Sequence, residues 1–232
     1  METLFITGGA KRIGKEIVLK FAKEGFDICF TYLKSEKEAL KTKEEVEKIG
    51  RKCLILKGDL KDIKTILKWR DEFFKNFEKL SCLINNASIF YKGNLKEIKE
   101  EDFDEIINVN LKAPLFISKY FSEKMKEGVI INIADIAGKV LWKNYLIYSI
   151  SKAGLIALTK LLAKELSPYI RVCAVAPGPI ILEDFEKERV LKKVPLKRLG
   201  KKEDVAEACY FLYKNNYITG TILYVNGGRS LY

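Results

Sequence analysis

The 232 residues predict an α/β protein, a Rossmann-like doubly wound parallel sheet of about seven strands in a single domain spanning 1–232. Short apolar runs alternate with longer segments of helical period from one end to the other. The runs are apolar throughout rather than at every second residue, as strands covered on both faces require. A glycine-rich turn stands between the first run and the first helix. Sheets of this kind bind ligands at the carboxyl ends of their strands.

The elements follow in order. Leu4–Thr7 is the first strand, and Gly8-Gly9-Ala10-Lys11-Arg12-Ile13-Gly14 the turn. Ile17, Val18, Phe21 and Ala22 then mark one face of a helix. Asp27–Tyr32 is a second strand, and Ser35–Ile49 a largely polar helix. Lys52–Lys57 is a third strand, ended by Gly58-Asp59. Asp62–Phe77 is a helix and Cys82–Asn85 a fourth strand. Glu101 to Lys126 predicts two helices, separated near Asn110–Pro114. Val129–Ala134 is a fifth strand, Tyr148–Leu166 a long apolar helix and Arg171–Ala176 a sixth strand. Glu183–Lys193 is a helical part of the next connection, Glu203–Tyr213 a helix and Leu223–Val225 a last strand.

Composition narrows the function classes. A hydrophobic content of 48% suffices for one full core. The absence of histidine excludes Ser-His-Asp and Cys-His catalysis and any His-based zinc site. Cys29, Cys53, Cys82, Cys173 and Cys209 form no Cys-x-x-Cys pair, which predicts free buried thiols in a reducing cytoplasm and no metal centre. The net charge of +11 comes from 42 basic and 31 acidic residues mixed along the chain. Such mixing predicts solvated helix faces with i,i+4 ion pairs rather than a nucleic-acid surface. A basic surface also suits an anionic cofactor or an acidic carrier protein. No apolar run approaches about 18 residues, so no membrane span is expected. The start enters a strand directly, with no signal peptide.

The chemistry gathers at one strand end. Ile-Asn-Ile-Ala ends at Asp135, and the helix that follows carries Tyr148 and, four residues on, Lys152. Residues four apart share a helix face. A carboxylate, a phenol and an ammonium thus converge into a proton-transfer group. Tyr120…Lys124 and Tyr210…Lys214 have the same spacing, but lie on amphipathic helices, where the tyrosines read as packing residues. The first turn brings backbone N–H groups and a helix N-terminus to a pyrophosphate, which favours a dinucleotide. Asp27 precedes Ile28-Cys29-Phe30 and so stands at the wrong end of its strand to bind a ribose 2′-hydroxyl. The right end reads Thr31-Tyr32-Leu33-Lys34-Ser35. Lys34 and Ser35, with Lys11 nearby, offer a cation and a hydroxyl to a 2′-phosphate, which points to NADPH.

Together these pieces resemble the short-chain dehydrogenases/reductases over nearly the whole chain. Thr7-Gly8…Gly14, Asp59-Leu60, Asn85-Asn86-Ala87, Val109-Asn110-Leu111, Tyr148…Lys152, Pro177-Gly178, Ile218-Thr219-Gly220 and Val225-Asn226-Gly227-Gly228 carry the resemblance. It implies that Asp59 and Leu60 contact adenine, that Asn86 and Ala87 flank the cofactor ribose, and that Pro177-Gly178 borders the nicotinamide. It implies that Gly8, Lys11, Arg12 and Ile13 hold the phosphates, and that Asn110 supports Lys152 through a water. Lys152 positions the ribose and, with the oxidised ring, favours the phenolate of Tyr148. Tyr148 donates a proton as hydride reaches the substrate. Members of the family are usually homotetramers, packed through the Tyr148 helix and the C-terminal strand.

Several positions depart from the family. Asp135 stands where most members have Ser, and an ionised Asp cannot donate to a ketone oxygen. A protonated Asp suits a C=N bond, whose nitrogen needs a proton. Arg12 replaces a glycine, and Asn-Asn-Ala-Ser88-Ile-Phe90 replaces Asn-Asn-Ala-Gly. This set resembles pteridine reductases in particular. Carried over, Ser88 lies on the cofactor side, Phe90 stacks a small flat substrate, Arg12 binds its polar edge, and Asp135 with Tyr148 protonates it. The common Thr after Pro-Gly is absent, with Ile181 and Leu182 in its place, which leaves the carboxamide contacts open. The alternatives are a 3-oxoacyl-carrier-protein reductase or another carbonyl reductase, and a non-catalytic nucleotide-binding protein.

Overall fold

The computed structural model describes residues 1–180 and 184–231. Among these, seven strands form one sheet: β1 (Thr3–Ile6), β2 (Asp27–Tyr32), β3 (Cys53–Lys57), β4 (Cys82–Asn85), β5 (Gly128–Ile133), β6 (Ile170–Pro177) and β7 (Ile222–Val225). The order is β3-β2-β1-β4-β5-β6-β7, and every pair is parallel. The order reverses between β1 and β4, so a crevice opens at their carboxyl ends. The helices are α1 (Arg12–Lys23), α2 (Glu36–Lys48), α3 (Ile63–Asn76), α4 (Glu100–Ile107), α5 (Ala113–Ser122), α6 (Ala137–Val140), α7 (Leu146–Glu165), α8 (Asp184–Leu191) and α9 (Lys202–Lys214).

Alternation along each strand feeds two cores. Leu4, Ile6, Cys82, Ile84, Val129 and Ile131 point to one face, where they meet Ile17 and Phe21 of α1 and Val205 and Leu212 of α9. Phe5, Leu83 and Ile130 point to the other, against Trp69 and Phe73 of α3 and Ile117 and Phe121 of α5. Each fully buried Leu or Phe contributes roughly 1.5–3 kcal/mol. The cysteines are free and buried, as expected.

One expectation needs correction. The helices predicted to separate near Asn110–Pro114 are continuous, joined by a π-helical turn at Asn108–Lys112 in which Ala113 N donates to Asn108 O. Pro114 has no N–H to give the carbonyl of Asn110 four residues back. The chain answers by widening one turn instead of stopping. α7 is long and apolar enough to cross a membrane by length and average composition, although lysines interrupt it. It is a core helix here. Its buried residues include Tyr148, Ser151, Lys152, Leu155 and Thr159, and Lys152 bonds back to β5. Ile181, Leu182 and Glu183 lie outside the described residues; the helix expected there is seen from Asp184 to Leu191.

Candidate active site

The first turn is built around Thr7, whose Oγ1 accepts from both Asn86 N and Ala87 N at 3.0 Å. Asn86 Nδ2 donates in return to Thr7 O (2.9 Å) and Gly8 O (3.1 Å). The ends of β1 and β4 are thereby locked together. A Cβ on Gly14 would stand 2.1 Å from Gly8 O, and Gly8 itself holds φ +69. The backbone therefore comes as close to itself as chemistry allows, leaving the mouth of α1 bare for a phosphate. Arg12 opens that helix at φ +54, a left-handed conformation costly for a side chain with a Cβ. Its guanidinium and Lys11 are both exposed there. These features fit a dinucleotide.

At the end of β2, Tyr32 is buried, while Lys34 is exposed beside Ser35. Ser35 precedes α2 and makes no side-chain capping bond. Glu36 is drawn to Lys57 (3.1 Å) and Tyr32 OH (3.5 Å). Asp27 binds Arg51 (2.7 Å) at the far end of the strand, as its position predicts. Asp59 accepts from Lys61 N at 2.9 Å and, with Leu60, follows β3. Pro177 ends β6, where its carbonyl accepts from Ile136 N (3.2 Å) and Gly178 N reaches Val225 O (2.9 Å). A Cβ on Gly178 would strike Asn226 at 2.7 Å.

Asp135, Tyr148 and Lys152 do converge. Tyr148 OH donates to Asp135 Oδ2 at 2.9 Å, and Ala137 N donates to Oδ1 at 2.7 Å. Lys152 Nζ donates to Ile133 O at 2.9 Å and lies 5.7 Å from the Tyr148 ring centre. Burial raises the Asp135 carboxyl above its usual range, opposed by the Ala137 N–H, Lys152 and Tyr148. Burial pushes the Tyr148 phenol well up, and Asp135 adds to the effect. Burial lowers Lys152 to about 8 against the pull of Asp135. Burial and Asp135 together favour the protonated phenol in this arrangement. Asp135 takes the phenol's hydrogen bond, and Lys152 is turned to a backbone carbonyl. Tyr120 and Tyr210 pack instead against Phe116 and Phe21.

Asn110 is buried. Its Nδ2 donates to Ile89 O (2.9 Å) and Ser151 Oγ (3.1 Å), and its Oδ1 accepts from Ile89 N (2.9 Å) and Ser88 Oγ (3.1 Å). It therefore ties the loop after β4 to α7. That loop delivers Phe90, whose ring is perpendicular to Tyr148 with centres 4.7 Å apart. Tyr145 and Trp142, overlooked in the sequence, complete an aromatic mouth. Tyr145 stacks on Phe90 (4.7 Å, 20°) and meets Trp142 at 5.8 Å. Two aromatic residues within six positions of Tyr148 were the available signal. A cleft of about 500 Å³ is lined by Tyr91, Gly93, Ile98 and Ile147, and not by Tyr148 or Asp135.

Known proteins resemble this chain over nearly its whole length. A family model described as enoyl-(acyl carrier protein) reductase matches residues 8–230. A 3-oxoacyl-(acyl-carrier-protein) reductase of Staphylococcus aureus is 34% identical, over 98% of this chain and 97% of the relative. A blue fluorescent protein from a metagenomic library, solved with NADPH, superposes with a TM-score of 0.93 at 30% identity, over 98% and 97% of the two chains. An alternative dihydrofolate reductase, FolM, of Brucella canis, solved with NADP, superposes at 0.92 and 27% identity, over 99% and 94%. With the parallel sheet, the glycine turn and the paired tyrosine and lysine already in place, these matches settle the class: the chain belongs to the short-chain dehydrogenase/reductase family and is a nicotinamide-dependent oxidoreductase.

Proposed function

We propose that residues 1–232 form one NADPH-dependent reductase unit acting on a dihydropterin or dihydrofolate-like ring. The observation that carries this reading is the 2.9 Å bond from Tyr148 to Asp135. A serine in place of Asp135 would offer a hydroxyl to a ketone oxygen. Asp135 instead accepts, with one oxygen on Ala137 N and the other on Tyr148. Burial favours its neutral form, and a proton on Oδ2 can refill the phenol. The nicotinamide, when bound, supplies the hydride. Tyr148 then protonates the ring nitrogen and draws a replacement from Asp135. Phe90 stacks the ring, Arg12 binds its polar edge, and Lys152 holds the cofactor ribose. Asn110 and Ser88 keep the loop that carries Phe90 in place. The Brucella canis dihydrofolate reductase lends support.

NADPH is favoured over NADH because Lys34, Ser35 and Lys11 face the expected 2′-phosphate, while Glu36 is neutralised by Lys57. Asp59, Leu60, Asn86, Ala87, Tyr32, Ile13, Pro177 and Gly178 line the remainder of the cofactor. Lys34→Asp is expected to shift preference toward NADH, read as the ratio of kcat/KM for the two cofactors. The five free cysteines support a reducing cytoplasmic setting. The family's usual homotetramer is the assembly we propose.

A second reading is a 3-oxoacyl thioester reductase, favoured by the Staphylococcus aureus relative. NADPH consumption with dihydrobiopterin against acetoacetyl-CoA separates the two, and turnover of the thioester alone would remove the pterin assignment. Asp135→Ser should lower pterin reduction by about 100-fold, the scale of a lost general acid. Pterin reduction left intact would show that Asp135 has no part in the chemistry.

A further inference from the structure

The loop after β4 and the loop before α7 are tied through their backbones. Gly93 N donates to Asn144 O (2.8 Å) and Leu146 N to Gly93 O (3.3 Å). In the second loop Leu141 and Asn144 hold left-handed φ of +57 and +67, a conformation Asn accepts readily and a leucine rarely adopts. Beside these turns stands a set of rings. Tyr145 lies parallel to Phe90, with centres 4.7 Å apart and 20° between planes. Phe90 stands at 87° to Tyr148, and Trp142 meets Tyr145 at 70°. Phe90 is still 51% exposed, so a residue held by two ring neighbours stays accessible beside the phenol.

We propose that Tyr145 is a positioning residue that sets substrate specificity. It holds Phe90 upright against Tyr148, so that the open surface is a rigid flat wall selecting planar rings over flexible acyl chains. The proposal rests on the reading of Phe90 as the substrate-stacking ring. A planar ligand meets a surface already ordered and incurs little ordering cost. A flexible chain gains less from the wall, because it must give up its own rotatable bonds to lie flat on it.

The test compares three substrates with saturating NADPH: a dihydropterin, a flat bicyclic diketone and acetoacetyl-CoA. Tyr145→Leu should lower kcat/KM for the two flat substrates by about five- to tenfold, chiefly through KM. The thioester and the KM for NADPH should be unchanged. Tyr145→Phe should behave as wild type, because the ring rather than the hydroxyl makes the stack. In a Phe90→Leu background, which also serves if Tyr145→Leu alone folds poorly, the second substitution should leave the flat-to-thioester ratio where it was. An equal loss on all three substrates, a loss shared by Tyr145→Phe, or additive effects in the double variant would overturn the proposal. Wild-type turnover of the diketone without the dihydropterin removes the pterin reading and still leaves Tyr145 tested. Turnover of the thioester alone overturns both.

Discussion

Arg12 holds φ at +54, where a residue with a Cβ is strained by about 1–2 kcal/mol. Glycine avoids that strain, although its unfolded chain has more freedom to lose. Arg12→Gly is therefore expected to raise stability by about 0.5–1 kcal/mol in thermal unfolding. The same substitution removes a guanidinium from the mouth of α1, and the KM for cofactor should rise about tenfold, the worth of a charged hydrogen bond. Stability unchanged with KM unchanged would mean that neither the strain nor the charge matters. Asp135 gives a second residue-scale outcome. Its folded carboxyl is raised by burial, so its contribution to stability is complete below the unfolded value of about 3.9 and is lost as pH rises through the folded value. Asp135→Asn keeps an acceptor for Ala137 N and cannot ionise. At pH 7 it should melt higher than wild type, with the gap closing at acid pH. A gap that widens on acidification would reverse the sign argued here.

At the scale of elements, the strands were legible and the joints were not. β2 spans Asp27–Tyr32 as its apolar run does, because a strand buried on both faces prints itself as unbroken hydrophobicity. Asp135, Tyr148 and Lys152 were legible for a related reason, since a strand end and one helix face fix their separation. The π-helical turn was not. Pro114 reads as a helix break, and only packing of the chain on both sides shows that one turn widens. The Phe90–Tyr145 stack was hidden because it depends on how two loops 55 positions apart pair through Gly93 and Asn144 (145 − 90 = 55). The widened turn places Asn110 to bond Ile89, Ser88 and Ser151. Asn110→Leu breaks all of these and leaves the half-buried Ile89 groups without this partner, at a cost of about 2–4 kcal/mol. Chemical denaturation should record that loss. A cost under about 0.5 kcal/mol, as for an ordinary surface change, would mean that the loop is held by other contacts.

At the scale of the whole molecule, mixed charge and exposed apolar surface divide the labour. Charges of both signs mix over the surface of a chain of net charge +11, in ion pairs such as Lys20–Glu24, Lys15–Glu45 and Lys61–Glu105, each worth little by itself. α7 breaks the polar pattern. It turns Tyr148 and Lys152 inward and leaves Leu146, Ile150 and Leu161 open, the last 59% exposed. Leu146 and Ile150 are one turn apart, and Leu161 continues the same stripe about three turns on. Leu115 on α5 and Phe103 on α4 are also exposed. In the proposed tetramer this stripe is the surface that a second copy covers, and the helix that carries the catalytic pair is braced from outside. Sedimentation should then find wild type as a tetramer. Leu161→Glu should shift it to smaller species with unchanged circular dichroism, because a carboxylate desolvated in an apolar interface costs several kcal/mol. Activity should fall as the tetramer dissociates on dilution, since α7 loses its support. A monomeric wild type of full activity would show that the inward face of α7 is held by the sheet alone.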